Sequence, residues 1–340
     1  MKKKVLGVLL AMAMVAGLAA CGNSSQDETP AAPAEETEEA AEAEPEETAE
    51  ETSGEEKTDG YKIGYSCHAL SQTFATCINQ RVQEQVEANG DTLITTNSER
   101  DTEVQISQIE DLIAQKVDLI IMSPSDKEGM YPALKACEEA GIPVINYDSG
   151  VTDQELVSAW ISSNHYQLGY IMGEYVAEHM DGGKIAIFRN ATSESLIDRA
   201  KGFQDALAEH PEFEIIDGIV VDSDALKLCE DTLQANPDLA GIFSTMEAYS
   251  LVITSTLESA GMQDQVKLFT VDGAPSDKQC ITEGKIVATS AQSPFTIADT
   301  IVEYMYDILN GEEVPEHDVS IDPWVIDENN VADYELDTWQ

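Results

Sequence analysis

Short runs rich in branched aliphatic and aromatic residues alternate with amphipathic helical stretches twice over in this chain, and that alternation leaves few folds open. Tyr61–Ser66, Thr92–Thr95, Leu119–Met122, Val144–Tyr147 and Ala159–Ser162 read as strands of a first series. Between them Gln72–Asn89 and Glu103–Gln115 carry the 3.6-residue period, and a further helix is stopped by Gly141 and Pro143. In a second series Lys184–Phe188, Glu214–Val221, Gly241–Ser244 and Val266–Val271 read as strands, and Ser193–Glu209, Ala225–Asn236 and Tyr249–Ala260 as helices. Helices of this length between successive strands are the crossovers of parallel sheets, so the pattern predicts an α/β chain of two doubly wound lobes. Open sheets of this kind hold ligands beyond the carboxyl ends of their strands, which places one pocket between two facing lobes.

Ahead of that body lie two segments of different character. Lys2, Lys3 and Lys4 precede an unbroken run of small or apolar residues from Val5 to Ala20, shorter than the ~20 needed to span a bilayer permanently. It reads as an export signal over residues 1–20. Leu18-Ala19-Ala20-Cys21 resembles the bacterial lipoprotein box, which implies that Cys21 becomes the lipid-bearing N-terminus. Two or more acyl chains there, at ~0.8 kcal/mol per buried CH₂, make a stable anchor. From residue 22 to 60 the chain holds 15 acids and the single base Lys57, with no aromatic or branched aliphatic residue. Such a segment has too little apolar surface to offset its ordering entropy, so residues 21–60 read as the lipidated Cys and a disordered acidic linker. Stretched at ~3.3 Å per residue it reaches about 130 Å from a membrane.

Charge excludes other classes. Lys plus Arg number 18 against 65 Asp plus Glu, for a net charge of -47. Contact with nucleic acid phosphates or an anionic lipid surface is repulsive at that balance, so nucleic acid is not a partner and the membrane is reached through the lipid alone.

Several strings in the body carry a family resemblance. Ile63-Gly64-Tyr65-Ser66, Gln108-Ile109-Glu110-Asp111-Leu112-Ile113-Ala114, Ala140-Gly141-Ile142-Pro143-Val144, Arg199-Ala200-Lys201-Gly202-Phe203, Gln234-Ala235-Asn236-Pro237-Asp238, Val271-Asp272-Gly273 and Ala288-Thr289-Ser290-Ala291-Gln292 resemble, in that order, the ribose/galactose type of periplasmic sugar-binding protein. The resemblance implies the type I periplasmic-binding-protein fold, with a three-strand hinge between the lobes. It divides the body into a first lobe of 61–163 and 292–317 and a second of 164–291 and 318–340. The implied function is a monomeric solute receptor that captures a monosaccharide or polyol, closes about its hinge and presents the closed form to an ABC permease. It involves no cofactor and no metal, and its place is the extracytoplasmic face of the cell membrane. The lac-type repressors share the fold, but they need a DNA-reading helix-turn-helix where this chain has an export signal.

The resemblance also assigns site residues. Asp148 and Asp272 stand where the family's carboxylates accept hydrogen bonds from neighbouring ligand hydroxyls, a diol being well matched to the two oxygens of an ionised carboxylate. Gln292 matches the hinge-side Gln, and Phe74 an aromatic that covers the C–H face of a sugar. For Asp148 and Asp272 the competing reading is an ordinary strand-end acid, and for Phe74 it is core packing. Cys67, Ser71, Ser123, Ser149, Asn190 and Met246 form a second tier. Ser123 follows the third strand, whereas Asp126 beside it reads as the N-cap of the next helix. Cys67 either lines the pocket or pairs with Cys77. The departures bear on ligand identity: Ser71-Gln72-Thr73-Phe74-Ala75 replaces Asn-Asn-Pro-Phe-Phe, the Arg beside the strand-four Asp is Ser149, and the second-lobe Arg aligns with Ile197. Met246 replaces an Asn and Ser223 an aromatic. On this alignment both forked cationic donors are missing, while Arg189, Asn190, Glu247, Tyr249 and His68 lie on loops near the pocket.

Enzymatic readings find little support. The five histidines show no metal-ligand spacing, and the Ser nucleophile elbow, the Walker loop and Gly-x-Gly-x-x-Gly are absent. Two rivals of other classes remain: a sensor that presents the same closed lobes to a membrane histidine kinase or chemoreceptor, and an exported hydrolase on the same fold.

Overall fold

A computed structural model describes residues 60–190, 193–220 and 224–340. The expected export signal, the lipidated Cys21, the acidic linker up to residue 59 and Ser223 lie outside the described residues.

The first strands and helices follow the sequence pattern. They are β1 (Lys62–Cys67), α1 (Thr73–Ala88), β2 (Thr92–Asn97), α2 (Thr102–Ala114), β3 (Leu119–Met122), α3 (Tyr131–Ala140), β4 (Val144–Tyr147) and β5 (Ala159–Ser163). Asp101 accepts a hydrogen bond from the Val104 amide and caps α2, while Gly141 ends α3 in the left-handed conformation that glycine reaches without strain. The chain continues through α4 (His165–His179), β6 (Gly183–Arg189), α5 (Glu194–Ala206), β7 (Phe213–Val220), α6 (Ala225–Ala235), β8 (Leu239–Ser244) and α7 (Glu247–Ala260). It ends with β9 (Lys267–Asp272), α8 (Pro275–Thr282), β10 (Ala288–Ala291), α9 (Pro294–Leu309), β11 (Asp318–Ile321) and β12 (Trp324–Asp327).

These strands form two six-stranded sheets, ordered β11-β5-β4-β3-β1-β2 and β12-β10-β9-β8-β6-β7. The orders are the same once β6 is set beside β1, so β9 in the second lobe is the counterpart of β4 in the first. All pairings are parallel except β10 with β12. Each sheet is covered on both faces. Ile63, Tyr65, Ile121 and Ile145 pack under α1 and α9, with Ile120, Met122 and Val144 on the opposite side under Ile109 and Leu112 of α2 and Leu134 of α3. The second sheet lies between α6, α7 and α8 on one face and α4 and α5 on the other. Burial on both faces is why these strands read as near-continuous apolar runs rather than as alternating ones.

The chain passes between the lobes three times, from β5 into α4, from β10 into α9, and from β11 into β12, which makes the three-strand hinge. One boundary drawn from the sequence moves. The family resemblance assigns residues 318–340 together to the second lobe, but Asp318–Ile321 pairs with Trp160–Ser163 as the edge of the first sheet. Two short strands separated by Asp322 and Pro323 thus belong to different lobes.

Helices α4 and α5 cross at glycine-lined contact. A Cβ on Gly169 would lie 1.8 Å from the Arg199 carbonyl oxygen, and one on Gly202 would lie 2.0 Å from that of Tyr166. Both obstacles are backbone, so no side chain can swing aside. Alanine gains up to ~1 kcal/mol in helix propensity, but overpacking of this kind costs about 1–3 kcal/mol or more. Gly169→Ala should therefore lower the melting temperature and separate the two helices, and an unchanged melt would show that the crossing is looser than described. The close crossing matters for function because it carries Arg199 to the lobe interface.

Candidate functional site

Asp148 follows β4 and Asp272 ends β9, so equivalent strands of the two lobes each deliver a carboxylate to the crevice beyond their carboxyl ends. Both residues have positive φ, 61° for Asp148 and 103° for Asp272. Non-glycine residues held there cost on the order of 1–3 kcal/mol each, and such strain persists only where surrounding contacts fix it. At Asp148 the amide donates to the Ile161 carbonyl at 3.0 Å, and its own carbonyl accepts from Trp160 Nε1 at 3.0 Å. At Asp272 the side chain itself is held. Its Oδ1 accepts from Arg199 Nη1 at 2.9 Å and Gln292 Nε2 at 2.6 Å, and its Oδ2 accepts from the Glu247 amide at 3.0 Å.

Arg199 lies between the two carboxylates. Besides Asp272 it donates to the Thr245 carbonyl at 2.8 Å, and its Nη2 lies 3.3 Å from His165 Nδ1. Burial, and then the neighbouring guanidinium, hold His165 well below the usual imidazole range, so the ring is neutral. With Nδ1 accepting from Arg199, the ring proton sits on Nε2, which points toward Asp148 Oδ1 at 3.6 Å, beyond hydrogen-bonding distance. His68 stands on the other side of Asp148, fixed by Ser123 Oγ on Nδ1 and Gln72 Oε1 on Nε2, both at 2.6 Å. Burial pushes the Asp148 carboxyl up, against the opposing pull of His68 and Arg199. Burial and then the charge of Asp272 push Glu247 well above the usual carboxylate range.

The lobes touch around this core. Thr73, the first residue of α1, donates to Glu247 Oε1 on the first residue of α7 at 3.3 Å, and Lys127 pairs with Glu194 at 2.6 Å. Four buried polar atoms here have no protein partner: His165 Nε2, Arg199 Nε, Gln292 Oε1 and Ser163 Oγ. A buried donor or acceptor left unmade costs ~1–3 kcal/mol. The unmatched set contains both donors and acceptors, which is what a polyhydroxylated molecule, able to give and take at each oxygen, would satisfy. Among the described residues no group of His, Cys, Asp and Glu is placed to hold a metal ion, and no helix is long and apolar enough to cross a membrane.

A model of the periplasmic binding protein domain matches residues 63–313. The chain belongs to that family. Among the relatives of this periplasmic binding protein is the ribose import binding protein RbsB of Escherichia coli K12, 28% identical over 250 residues that cover 72% of this chain and 83% of the relative. A solute binding protein of an ABC transporter from Bacillus halodurans C-125, solved with bound myo-inositol, has a TM-score of 0.76 at 26% identity, covering 82% of this chain and 99% of that one. Another from Actinobacillus succinogenes 130z, solved with bound D-allose, has a TM-score of 0.74 at 25% identity, covering 81% and 100%. The named relatives are periplasmic sugar-binding components of ABC transporters.

The structure brings Asp148, Asp272 and Gln292 together, with Ser123 behind His68. It corrects the view that both forked cations are missing: Ile197 is 38% exposed, while Arg199, two residues on and across the helix, is buried against Asp272. Cys67 is fully buried, within 3.6 Å of the Tyr147 hydroxyl, and both it and Cys77 are free thiols. Asp126 is not the N-cap of α3, which starts at Tyr131; its Oδ1 accepts from the Glu128 and Gly129 amides and closes the preceding turn. Phe74 packs edge-on against Trp339, ring centroids 5.5 Å apart, and against the first-lobe core. Ser71 is exposed and lines a groove along α1 with Trp339. Ser149 borders a hollow with Trp160, His165 and Glu194. Asn190 holds the Ser193 amide at the start of α5, and Met246 precedes α7 with its carbonyl accepting from Ser244.

Proposed function

We propose that this chain is the lipid-anchored solute receptor of an ABC importer, and that it captures a neutral monosaccharide or polyol between its lobes. The observation that carries this reading is the pair of equivalent carboxylates, Asp148 and Asp272, facing one crevice lined by unmatched buried donors and acceptors. The ligand-facing groups are Asp148, Asp272, Gln292 and His165, with Arg199 holding Asp272 in place. Arg199 stands against two carboxylates and an acid, Glu247, so the pocket rejects anionic sugars such as uronic acids and sugar phosphates. Relatives named for ribose import, or solved with D-allose or myo-inositol, give the first compounds to try. Closure follows from the geometry, because only the closed state offers contacts from both lobes.

Calorimetric titration with D-ribose, D-allose and myo-inositol, beside mass spectrometry of small molecules retained through gentle purification, tests the reading. Binding of a neutral polyhydroxylated compound with a fall in the radius of gyration supports it. Retention of an anionic or apolar molecule instead would overturn the ligand class. Acyl chains on the N-terminal peptide, lost together with membrane attachment in Cys21→Ala, are the expected result for the anchor.

A further inference from the structure

The segment Thr338–Gln340 lies far from the crevice in sequence and directly behind it in space. The side-chain amide of Gln340 is satisfied on both sides. Its Nε2 donates to the Gln292 carbonyl at 3.0 Å and the Asp272 carbonyl at 3.4 Å, and its Oε1 accepts from Lys278 Nζ at 3.0 Å. Carbonyls only accept and an ammonium only donates, so these three partners fix which way the amide faces. Lys278, on α8, is fully buried, and its ammonium also donates to the Thr338 carbonyl at 2.7 Å. Ser293, at the hinge crossing into α9, donates to the Gln340 main-chain oxygen at 2.7 Å. The neighbouring Trp339 is buried against Phe74 of the first lobe.

Asp272 and Gln292, whose carbonyls the Gln340 amide joins, are also the residues whose side chains bond each other in the crevice. Gly273 follows the strained Asp272 with φ of +70°, and a Cβ on it would lie 2.6 Å from both Gln340 Nε2 and Ala291 Cβ. The backbone turn that aims the second-lobe carboxylate is thus closed in from behind by this segment.

We propose that Thr338–Gln340 is a strap that positions the ligand-facing ends of β9 and β10 and ties them to the first lobe, with Gln340 and Lys278 as its positioning residues. The proposal takes from the reading above only which side chains face the ligand; the strap contacts stand without it.

The test is hydrogen exchange of the full chain in detergent, in wild type, Gln340→Ala and Gln340→Glu. The Glu variant keeps the length of the side chain but puts an oxygen where the carbonyls need a donor. Two amides report on the turn: Gly273, which donates to Thr289 Oγ1, and Gln292, which donates to the Asp272 carbonyl. Losing the strap's bonds should speed exchange at both by about five- to tenfold, as expected for one or two lost hydrogen bonds. The central amides of β1 and β6 should be unchanged. Affinity for whichever of the three compounds binds wild type should fall in both variants. Unchanged exchange at Gly273 and Gln292, or an equal rise across the second lobe, would overturn the strap. If none of the compounds binds wild type while exchange rises locally, the strap stands and the ligand assignment fails.

Discussion

Arg199→Leu is expected to destabilise the protein by about 3–5 kcal/mol, the range for a buried charge stripped of its partner. Asp272 is 3% exposed and loses its cation in this variant, while the Gln292 amide and the Glu247 backbone N–H remain as neutral donors. The Glu247 carboxyl, already pushed up by burial and by Asp272, then has no positive charge opposing that push. Adding Asp272→Asn should recover much of the loss, because it removes the orphaned charge rather than restoring the pair. Lysine at 199 should fall between, since a single ammonium cannot reach Asp272, the Thr245 carbonyl and His165 together as a guanidinium does. Denaturant unfolding monitored on the second lobe measures all three. A single variant within 1 kcal/mol of wild type would mean that the pair is dispensable.

Asp148 and Asp272, the carboxylates proposed to face the ligand, should separate in their effects. Asp272 already accepts three hydrogen bonds, from Arg199, Gln292 and the Glu247 amide, and an ionised carboxylate has about four acceptor sites. Asp148 is 18% exposed, with its Oδ1 outside hydrogen-bonding range of His165, and keeps more capacity for ligand hydroxyls. Asp148→Ala is therefore expected to weaken ligand binding by at least about tenfold, ~1.4 kcal/mol, with little change in thermal stability. Asp272→Ala should weaken binding and also lower the melting temperature, because it leaves Arg199 buried without a counter-charge. Titration calorimetry and melting of each variant decide the matter. Equal affinity in wild type and Asp148→Ala would place the ligand elsewhere.

The alternation of strand and helix was legible because each element buries one or both faces and the period records which. The placing of Asp148 and Asp272 beyond equivalent strands of the two lobes was legible through the family resemblance, but their positive φ was not, since nothing in the flanking residues demands it. Arg199 shows a different kind of miss. It lies on the buried stripe of α5 with Leu196, Ala200 and Phe203, at the helical spacing of an apolar face. A charged residue on such a stripe must find a buried partner, and that signal was present in the sequence. Matching the family's cation to Ile197 hid it, because residues two apart on a helix point to nearly opposite sides. The placements of β11 and of Thr338–Gln340 had no local signal at all. The pairing of β11 with β5, and an amide reaching carbonyls at Asp272 and Gln292, depend on contacts between distant parts of the chain that no short window contains.

The threefold passage between lobes sets an order on how the molecule can be made. Strand β5 is the edge of the first sheet until β11 reaches it, and the first-lobe core that packs on α1 lacks α9 until the second lobe's strands through β10 have been synthesised. As the chain emerges from the ribosome, the half that appears first waits for α9 and β11, which follow nearly all of the second lobe. It carries an open β edge and an uncovered apolar face for most of that time, features that invite wrong pairing. The second lobe, whose first five strands and five helices are contiguous in sequence from α4 to β10, has fewer such delays. Folding that starts from the later-synthesised lobe and closes the earlier one around it is the order this connectivity favours.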